Sequence, residues 1–148
     1  MLAVLAAVFV AWGVAAVLDD SGTRRTLPWR DLTPQTGSLE LPNGLTREFI
    51  SRPQLAAWLH SRGGKVVPRV AFPRWRAALI SLGPRSTTAY SLRVVGVIED
   101  DKRVTVRAVR RNASLADPGR PKLTFPYRLI ALPTTGKHIQ VEWIEPAD

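Results

Sequence analysis

Residues 90–111 read YSLRVVGVIEDDKRVTVRAVRR, and this stretch decides the fold class. Apolar and polar residues alternate on both sides of an acidic turn, which is typical of two β-strands that each bury one face. The positions expected to share the buried face are Tyr90, Leu92, Val94, Gly96 and Ile98 in the first strand and Val104, Val106 and Ala108 in the second. The pattern therefore predicts a β-hairpin.

The register of this hairpin follows from its loop. A three-residue loop at 100–102 sets Glu99 opposite Arg103 and Val94 opposite Ala108, so that the apolar positions meet on one face. A two-residue loop would shift the pairing by one residue and set core positions against arginines. We therefore expect the three-residue loop.

Three further strands and one helix are expected around the hairpin. Residues 77–82 and 129–132 are short apolar runs next to Gly or Pro, and Ile139, Val141 and Trp143 alternate with polar residues, which indicates strands. In the stretch 50–64, Ser51 and Gln54 match a capping box, in which each side chain binds a free backbone N–H at the start of a helix. The helix would bury Leu55, Trp58 and Leu59 and end at two glycines. One helix followed by about five strands predicts an α+β domain with a mainly antiparallel sheet.

The first 43 residues are predicted to lie outside this domain. Residues 1–18 carry no charge and no proline, and their length is at the short end for a bilayer span. They fit a cleaved signal peptide, an uncleaved membrane anchor or a buried core helix. The first two interpretations predict an exported protein of the periplasm or cell envelope. Residues 19–43 contain many Pro and Gly and are expected to form a linker, with a binding domain at 44–148.

The composition favours binding over catalysis. The chain has 148 residues, with 21 Lys or Arg against 12 Asp or Glu, a net charge of +9 and no cysteine. Without cysteine there is no disulfide, no thiol nucleophile and no thiolate zinc site. The two histidines are too far apart for a local metal motif, and no nucleophile elbow or pair of inward carboxylates is recognisable. We therefore expect no enzyme activity, no metal and no cofactor.

The candidate binding residues lie on the outward face of the hairpin. They are Arg93, Val95, Val97, Arg103, Arg107 and Arg111. Apolar contact area framed by guanidinium groups suits a protein partner. The same arginines would suit the phosphates of an anionic polymer, a nucleic acid or a lipid surface. In a third interpretation the arginines are only solvated, and the helix at 50–64 covers the valines.

Two other segments carry a resemblance to a known family. Residues 82–92 read LGPRSTTAYSL and residues 123–130 read LTFPYRLI. They resemble the L-G-x-x-P-T-G-G-Y-x-V and L-T-x-P-Y-x-L-V segments of the PrcB C-terminal domain family, named for a protease-complex subunit. Pro68, Val70 and Phe72 match its P-x-V-D-F lead-in, so the resemblance covers residues 66–143. It implies an exported bacterial domain that binds and stabilises a partner protease.

The residues that match the family motifs form two groups. The first is a loop of Gly83, Ser86, Thr87, Thr88, Ala89 and Tyr90, and the second is Thr124, Pro126 and Tyr127. Thr88 and Ala89 stand where the family has glycines, so a positive φ there would strain the loop and weaken its inherited function. Residues 86–90 also resemble the N-P-T-T-G-Y loop of chagasin-type inhibitors. Inhibition of a cysteine protease is therefore a further hypothesis.

Overall fold

The computed structural model describes residues 23–146, and the expected signal peptide or anchor at 1–18 lies outside them. The elements are β1 (Arg25–Thr26), β2 (Arg30–Asp31), α1 (Thr33–Thr36), β3 (Gly44–Phe49), α2 (Arg52–Ser61), β4 (Trp75–Leu82), β5 (Arg85–Thr87), β6 (Ser91–Glu99), β7 (Val104–Arg111), β8 (Pro121–Thr124), β9 (Tyr127–Pro133) and β10 (Ile139–Ile144). The protein is α+β with mainly antiparallel pairing, as the sequence predicts. No helix within 23–146 is long and apolar enough to cross a bilayer.

The fold contains two four-stranded sheets. The sequence predicts a single sheet of about five strands. The outer sheet has the strand order β1-β6-β7-β10, and the central sheet has the order β2-β9-β4-β3. β5 and β8 pair separately as a two-stranded ribbon. One core lies between the two sheets, and a second core lies between the central sheet and α2. The central sheet is therefore buried on both faces.

β4 shows how the sequence encodes this layering. Ala78, Ile80 and Leu82 belong to the core between the sheets, whereas Ala77 and Leu79 belong to the core under α2. A strand with two buried faces has no polar positions to alternate with. The apolar run at 77–82 is thus explained by its place in the central sheet.

α2 begins where the sequence predicts. Ser51 is the N-cap, and its Oγ accepts a hydrogen bond from the backbone N–H of Gln54 at 3.4 Å. The Gln54 side chain accepts from the backbone N–H of Ile50 at 3.0 Å, one residue before the cap. The helix buries Leu55, Trp58 and Leu59, as expected, and it does so against the central sheet. The interpretation in which it covers the hairpin valines is therefore wrong.

Residues 23–43 are part of the fold and do not form the expected linker. β1 extends the outer sheet and β2 extends the central sheet. The buried leucines of this segment are Leu27, Leu32, Leu39 and Leu41. They are not periodic in sequence because each enters a core from a loop or from the edge of a very short element. The N–H of Leu32 also donates to the carbonyl of Leu129 at 2.7 Å.

The β6–β7 hairpin follows the predicted register at one end only. Val94 pairs with Ala108, as predicted. At the other end Glu99 pairs with Val104, so the loop spans residues 100–103 and the three-residue loop is wrong. The register shifts between Val94 and Gly96, where a β-bulge adds one residue to β6.

The bulge reverses the alternation of β6 beyond it. Val97 is fully buried in the core between the sheets, although the sequence predicts it on the outward face. Glu99 is buried as well, whereas Ile98, expected in the core, is half-buried. Gly96 follows the bulge without a positive φ, and a Cβ there would meet nothing within 4 Å, so the bulge does not require a glycine at this position.

β10 joins its sheet in the opposite sense to the one expected. It runs parallel to β7, with Ile139 opposite Val104 and Ile144 opposite Val109. The chain between these strands passes through β8 and β9, and a parallel pair requires such a long crossover. Trp143, expected on the apolar face, is 41% exposed at the end of that face.

Candidate functional site

The outward side of the outer sheet is the candidate binding surface, here called the arginine face. Its residues are Arg93 and Val95 on β6, Arg103 just before β7, Thr105, Arg107, Val109 and Arg111 on β7, and Gln140, Glu142 and Ile144 on β10. Their strand neighbours point into the core, so strand alternation turns these side chains outward. Within residues 23–146 no element packs over this face, and Val95 is 42% exposed.

The arginines of this face are held by neighbouring polar groups. Arg107 Nε donates to Glu142 Oε2 at 3.2 Å, and Arg103 Nη1 donates to Gln140 Oε1. Arg111 forms an ion pair with Asp117 in the connection after β7. All of these groups are exposed, and ion pairs in such positions stabilise a protein by only about 0–1 kcal/mol. An incoming carboxylate can therefore replace these partners at low cost.

The structure brings five of the six predicted binding residues together. Arg93, Val95, Arg103, Arg107 and Arg111 share the arginine face, and Val97 does not. Sequence reasoning missed the contribution of β10, because that strand was not expected beside β7. The alternation of Ile139, Val141 and Trp143 already marks Gln140 and Glu142 as one outward pair, and this was the available signal.

The family-motif loop forms the ribbon of β5 and β8. Thr88 Oγ1 accepts from the N–H of Arg120 at 2.9 Å, and the Thr88 N–H donates to the carbonyl of the same residue at 3.0 Å. Thr124 Oγ1 donates to the Thr87 carbonyl at 3.1 Å. Ala89 is buried against Gly119. The threonines thus bind their own ribbon, while Ser86 stays exposed and Arg85 stacks on the Tyr90 ring.

The strain expected at Thr88 and Ala89 is absent. Among residues 23–146 only glycines have a positive φ. One of them is Gly83, with φ +73°, and a Cβ there would lie 2.7 Å from the backbone nitrogen of Gly44. The loop therefore needs a glycine at 83, where the chain leaves β4, and none at its tip.

The second group of motif residues fastens β9 to its surroundings. The Pro126 carbonyl accepts from the N–H of Leu82 at 3.0 Å. The Tyr127 hydroxyl donates to the carbonyl of Gly37, just after α1. Burial raises the pKa of Tyr127 to about 12, because the phenolate would lose its hydration. These positions hold segments of the fold together.

A buried acidic group lies at one end of the core between the sheets. Glu99 accepts hydrogen bonds from Arg25 Nε at 3.0 Å and from Lys137 Nζ at 3.1 Å. Burial alone would raise the pKa of Glu99, but these hydrogen bonds and positive charges outweigh it and lower the pKa. The carboxylate is therefore ionised and fully partnered.

Several clefts of the described surface are lined by residues outside the arginine face. A cleft of about 550 Å³ is lined by residues such as Leu39, Arg62, Lys122 and Phe125. In the described part of the chain, no group of three His, Asp or Glu side chains is placed to hold a metal ion.

Comparison of the chain with family models, with curated proteins and with solved structures finds no match. The function proposed for it is therefore argued from its own sequence and surfaces.

Proposed function

We propose that the chain is an exported, non-catalytic binding domain whose arginine face holds a protein partner. In this role it is an accessory or stabilising subunit of a protease or of another cell-envelope complex. The observation that carries the proposal is the outward side of the outer sheet, over which no element of residues 23–146 packs and on which Val95 lies exposed beside Arg93. The apolar residues 1–18 support export, and the family resemblance supports a protease as the partner.

The chemistry of the face suits a protein better than a polyanion. Val95, Val109 and Ile144 supply apolar area between the guanidinium groups, and a protein interface combines such a centre with a polar rim. Arginine is favoured there because its planar fork binds carboxylates in a bidentate manner. The Thr87–Ala89 tip is bound within its own ribbon, which leaves the inhibitor hypothesis without a free loop.

The experiment is a crosslinking pulldown of the tagged protein from the envelope of the cells that produce it. The test variant carries Arg93→Gln, Arg107→Gln and Arg111→Gln. The matched control carries Arg52→Gln, Arg69→Gln and Arg74→Gln, which are exposed positions outside the arginine face. Each variant loses three positive charges, so the comparison separates the effect of where the charges lie from the effect of their number.

We expect the test variant to lose its partner and the control to keep it. Equal capture by both variants would remove the arginine face as the binding surface. Equal loss in both would favour the alternative, electrostatic binding of an anionic polymer or surface, because such binding depends on total charge. Steep weakening with added salt would support that alternative, whereas a contact with an apolar centre and an arginine rim should weaken less.

A further inference from the structure

β10 forms one edge of the outer sheet, and the two-residue β1 lies at the other. Among the described strands β10 pairs with β7 alone. The His138 carbonyl accepts from the N–H of Val104, while the N–H of Ile139 points the other way and donates to Glu48 Oε1 at 3.0 Å. Peptide groups of successive strand residues point to opposite sides. The N–H and C=O groups of Val141 and Trp143 therefore point away from β7, along the open edge.

This edge has few of the features that usually block pairing with another chain. Protected edge strands are very short or carry charged side chains, above all lysine, a proline or a bulge, and Glu142 is the one charged residue of β10. β10 has six residues, contains neither lysine nor proline, and pairs with β7 in unbroken register. Trp143, 41% exposed, offers apolar surface beside the free backbone groups. The sequence of β10 thus leaves the edge open.

Three arginines reach across β10 toward that edge. On the outward side, Arg103 binds Gln140. Arg107 binds Glu142 through Nε alone, so the two terminal nitrogens of Arg107 bind no described residue. On the inward side, the Arg110 guanidinium lies 5.6 Å from the centre of the Trp143 ring. A strand added beside β10 would lie about 4.8 Å from it. Its side chains would then come within reach of these guanidinium groups.

We infer that the partner adds an extended segment to the open edge of β10, and that this segment alternates acidic and apolar residues. The inference rests on the proposed function and specifies how the partner binds. The apolar side chains would continue the inner face beside Val141 and Trp143, and the acidic ones would meet Arg103 and Arg107 on the outward face. A second copy of the chain is the poorer occupant, because two chains of charge +9 repel each other.

The test is an NMR titration of the ¹⁵N-labelled protein with a capped eight-residue peptide of alternating Glu and Val. One control peptide has Lys in place of Glu. Two further Glu-Val peptides carry N-methyl groups on alternate residues. In one peptide the methyl groups lie on the edge that would face β10, so this peptide cannot donate hydrogen bonds to β10. In the other they lie on the opposite edge. We expect the amide signals of Val141 and Trp143 to shift and their hydrogen exchange to slow at least tenfold with the Glu-Val peptide. The Lys-Val peptide and one methylated peptide should leave them unchanged.

Two protein variants complete the test. Val141→Pro removes an N–H of the open edge but none that bonds to β7, so the sheet should persist while the peptide dissociation constant rises at least tenfold. Arg107→Gln should also weaken the binding of the Glu-Val peptide. Failure of the Glu-Val peptide to bind, or equal binding of the Lys-Val peptide, would overturn the inference.

The outcomes separate the inference from the proposed function. If the peptide shifts Arg93 and Val95 but neither Val141 nor Trp143, strand addition is wrong and the arginine face still binds. Protection of Val141 and Trp143 without peptide, with a mass that doubles as concentration rises, would show a second copy at the edge and overturn the inference. The pulldown with arginine variants tests the proposed function independently of all these results.

Discussion

The carboxylate of Glu48, on the edge strand of the central sheet, accepts a hydrogen bond of 3.0 Å from the backbone N–H of Ile139, at the start of the edge strand of the outer sheet. The same carboxylate binds Arg76 Nη1 at 2.9 Å, and that nitrogen also donates to the carbonyl of Lys137 at 2.8 Å. The Lys137 ammonium in turn binds Glu99. One continuous set of polar contacts thus fastens the two sheets at one end.

Replacing Glu48 should destabilise the protein. Arg76 is only 3% exposed, and Glu48→Ala would leave its guanidinium buried without a carboxylate. Breaking one side of a fully buried ion pair typically costs about 3–5 kcal/mol. Because the Glu48 side chain is 30% exposed and Arg76 keeps the Lys137 carbonyl, we expect a loss of about 1–3 kcal/mol. Urea denaturation should show that loss, and Glu40→Ala, at an exposed position, should change the free energy of unfolding by less than about 0.5 kcal/mol. A similar small change for Glu48→Ala would show that the network is not stabilising.

Acidification should remove the contribution of Glu99. The folded pKa of this carboxyl lies below its unfolded value, so the unfolded chain binds more protons in that range. The stabilisation is complete above the unfolded pKa, near pH 4.5, and is lost as the pH falls through the folded pKa. We expect Glu99→Gln to lower stability at pH 7 and to flatten its decline in acid. Thermal melts from pH 7 to pH 2 test this, and parallel curves for the two proteins would contradict it.

Alkali should have the mirror effect through Tyr127. Its folded pKa of about 12 lies above the value of about 10 expected in the unfolded chain. The stabilisation is therefore present below pH 10 and is lost as the pH rises toward 12. With Tyr90→Phe, the phenolate absorbance reports Tyr127 alone, because the chain has two tyrosines. Ionisation near pH 10 in the folded protein would show that the ring is accessible to water.

Leu32→Ala tests whether residues 23–43 belong to the fold. Leu32 is fully buried in the core under α2. Truncating such a leucine costs about 2–5 kcal/mol, because the cavity fills only partly. Leu115→Ala is the control, since Leu115 is fully exposed. Equal stability of the two variants would restore the linker interpretation.

The contact between Gly119 and Ala89 in the ribbon can be tested with Gly136 as the control position. Both have a positive φ, +67° and +72°. A Cβ on Gly119 would lie 2.5 Å from the Ala89 nitrogen, whereas a Cβ on Gly136 would meet nothing within 4 Å. Gly136→Ala should therefore cost about 1–2 kcal/mol for the left-handed backbone alone. Gly119→Ala should cost about 1–3 kcal/mol more for the overlap. Equal melting temperatures would mean that Ala89 and Gly119 are not in contact.

The elements that the sequence predicts are those with strong local signals. α2 has a cap at Ser51 and apolar residues at helical spacing, and β7 has strict alternation. β1 and β2 have two residues each, too few for any period. β3 reads GLTREF and is largely exposed at an edge, so it lacks an apolar pattern. The order of strands in a sheet depends on contacts between residues that are distant in sequence. A local pattern of apolar and polar residues cannot predict these contacts.

The candidate site was predictable to the same degree. The arginines at 103, 107 and 111 follow from alternation on a single strand, and the structure places them on one face. Val97 fails because one extra residue at the bulge reverses the alternation of β6. The warning was Gly96, since glycine within a strand often marks a bulge. The open edge of β10 was hidden because its parallel pairing depends on a crossover through the other sheet.

The pairing of β2 with β9 joins segments that are far apart in the sequence. Arg30 lies opposite Ala131, and the N–H of Leu32 donates to Leu129, which is made about a hundred residues later. Leu32 therefore has no partner strand until β9 has been made, whether the chain folds during synthesis or after export. Exposed apolar segments of this kind are prone to aggregate and are bound by chaperones. For Leu32, that exposure ends only once Tyr127–Pro133 is available to pair with β2.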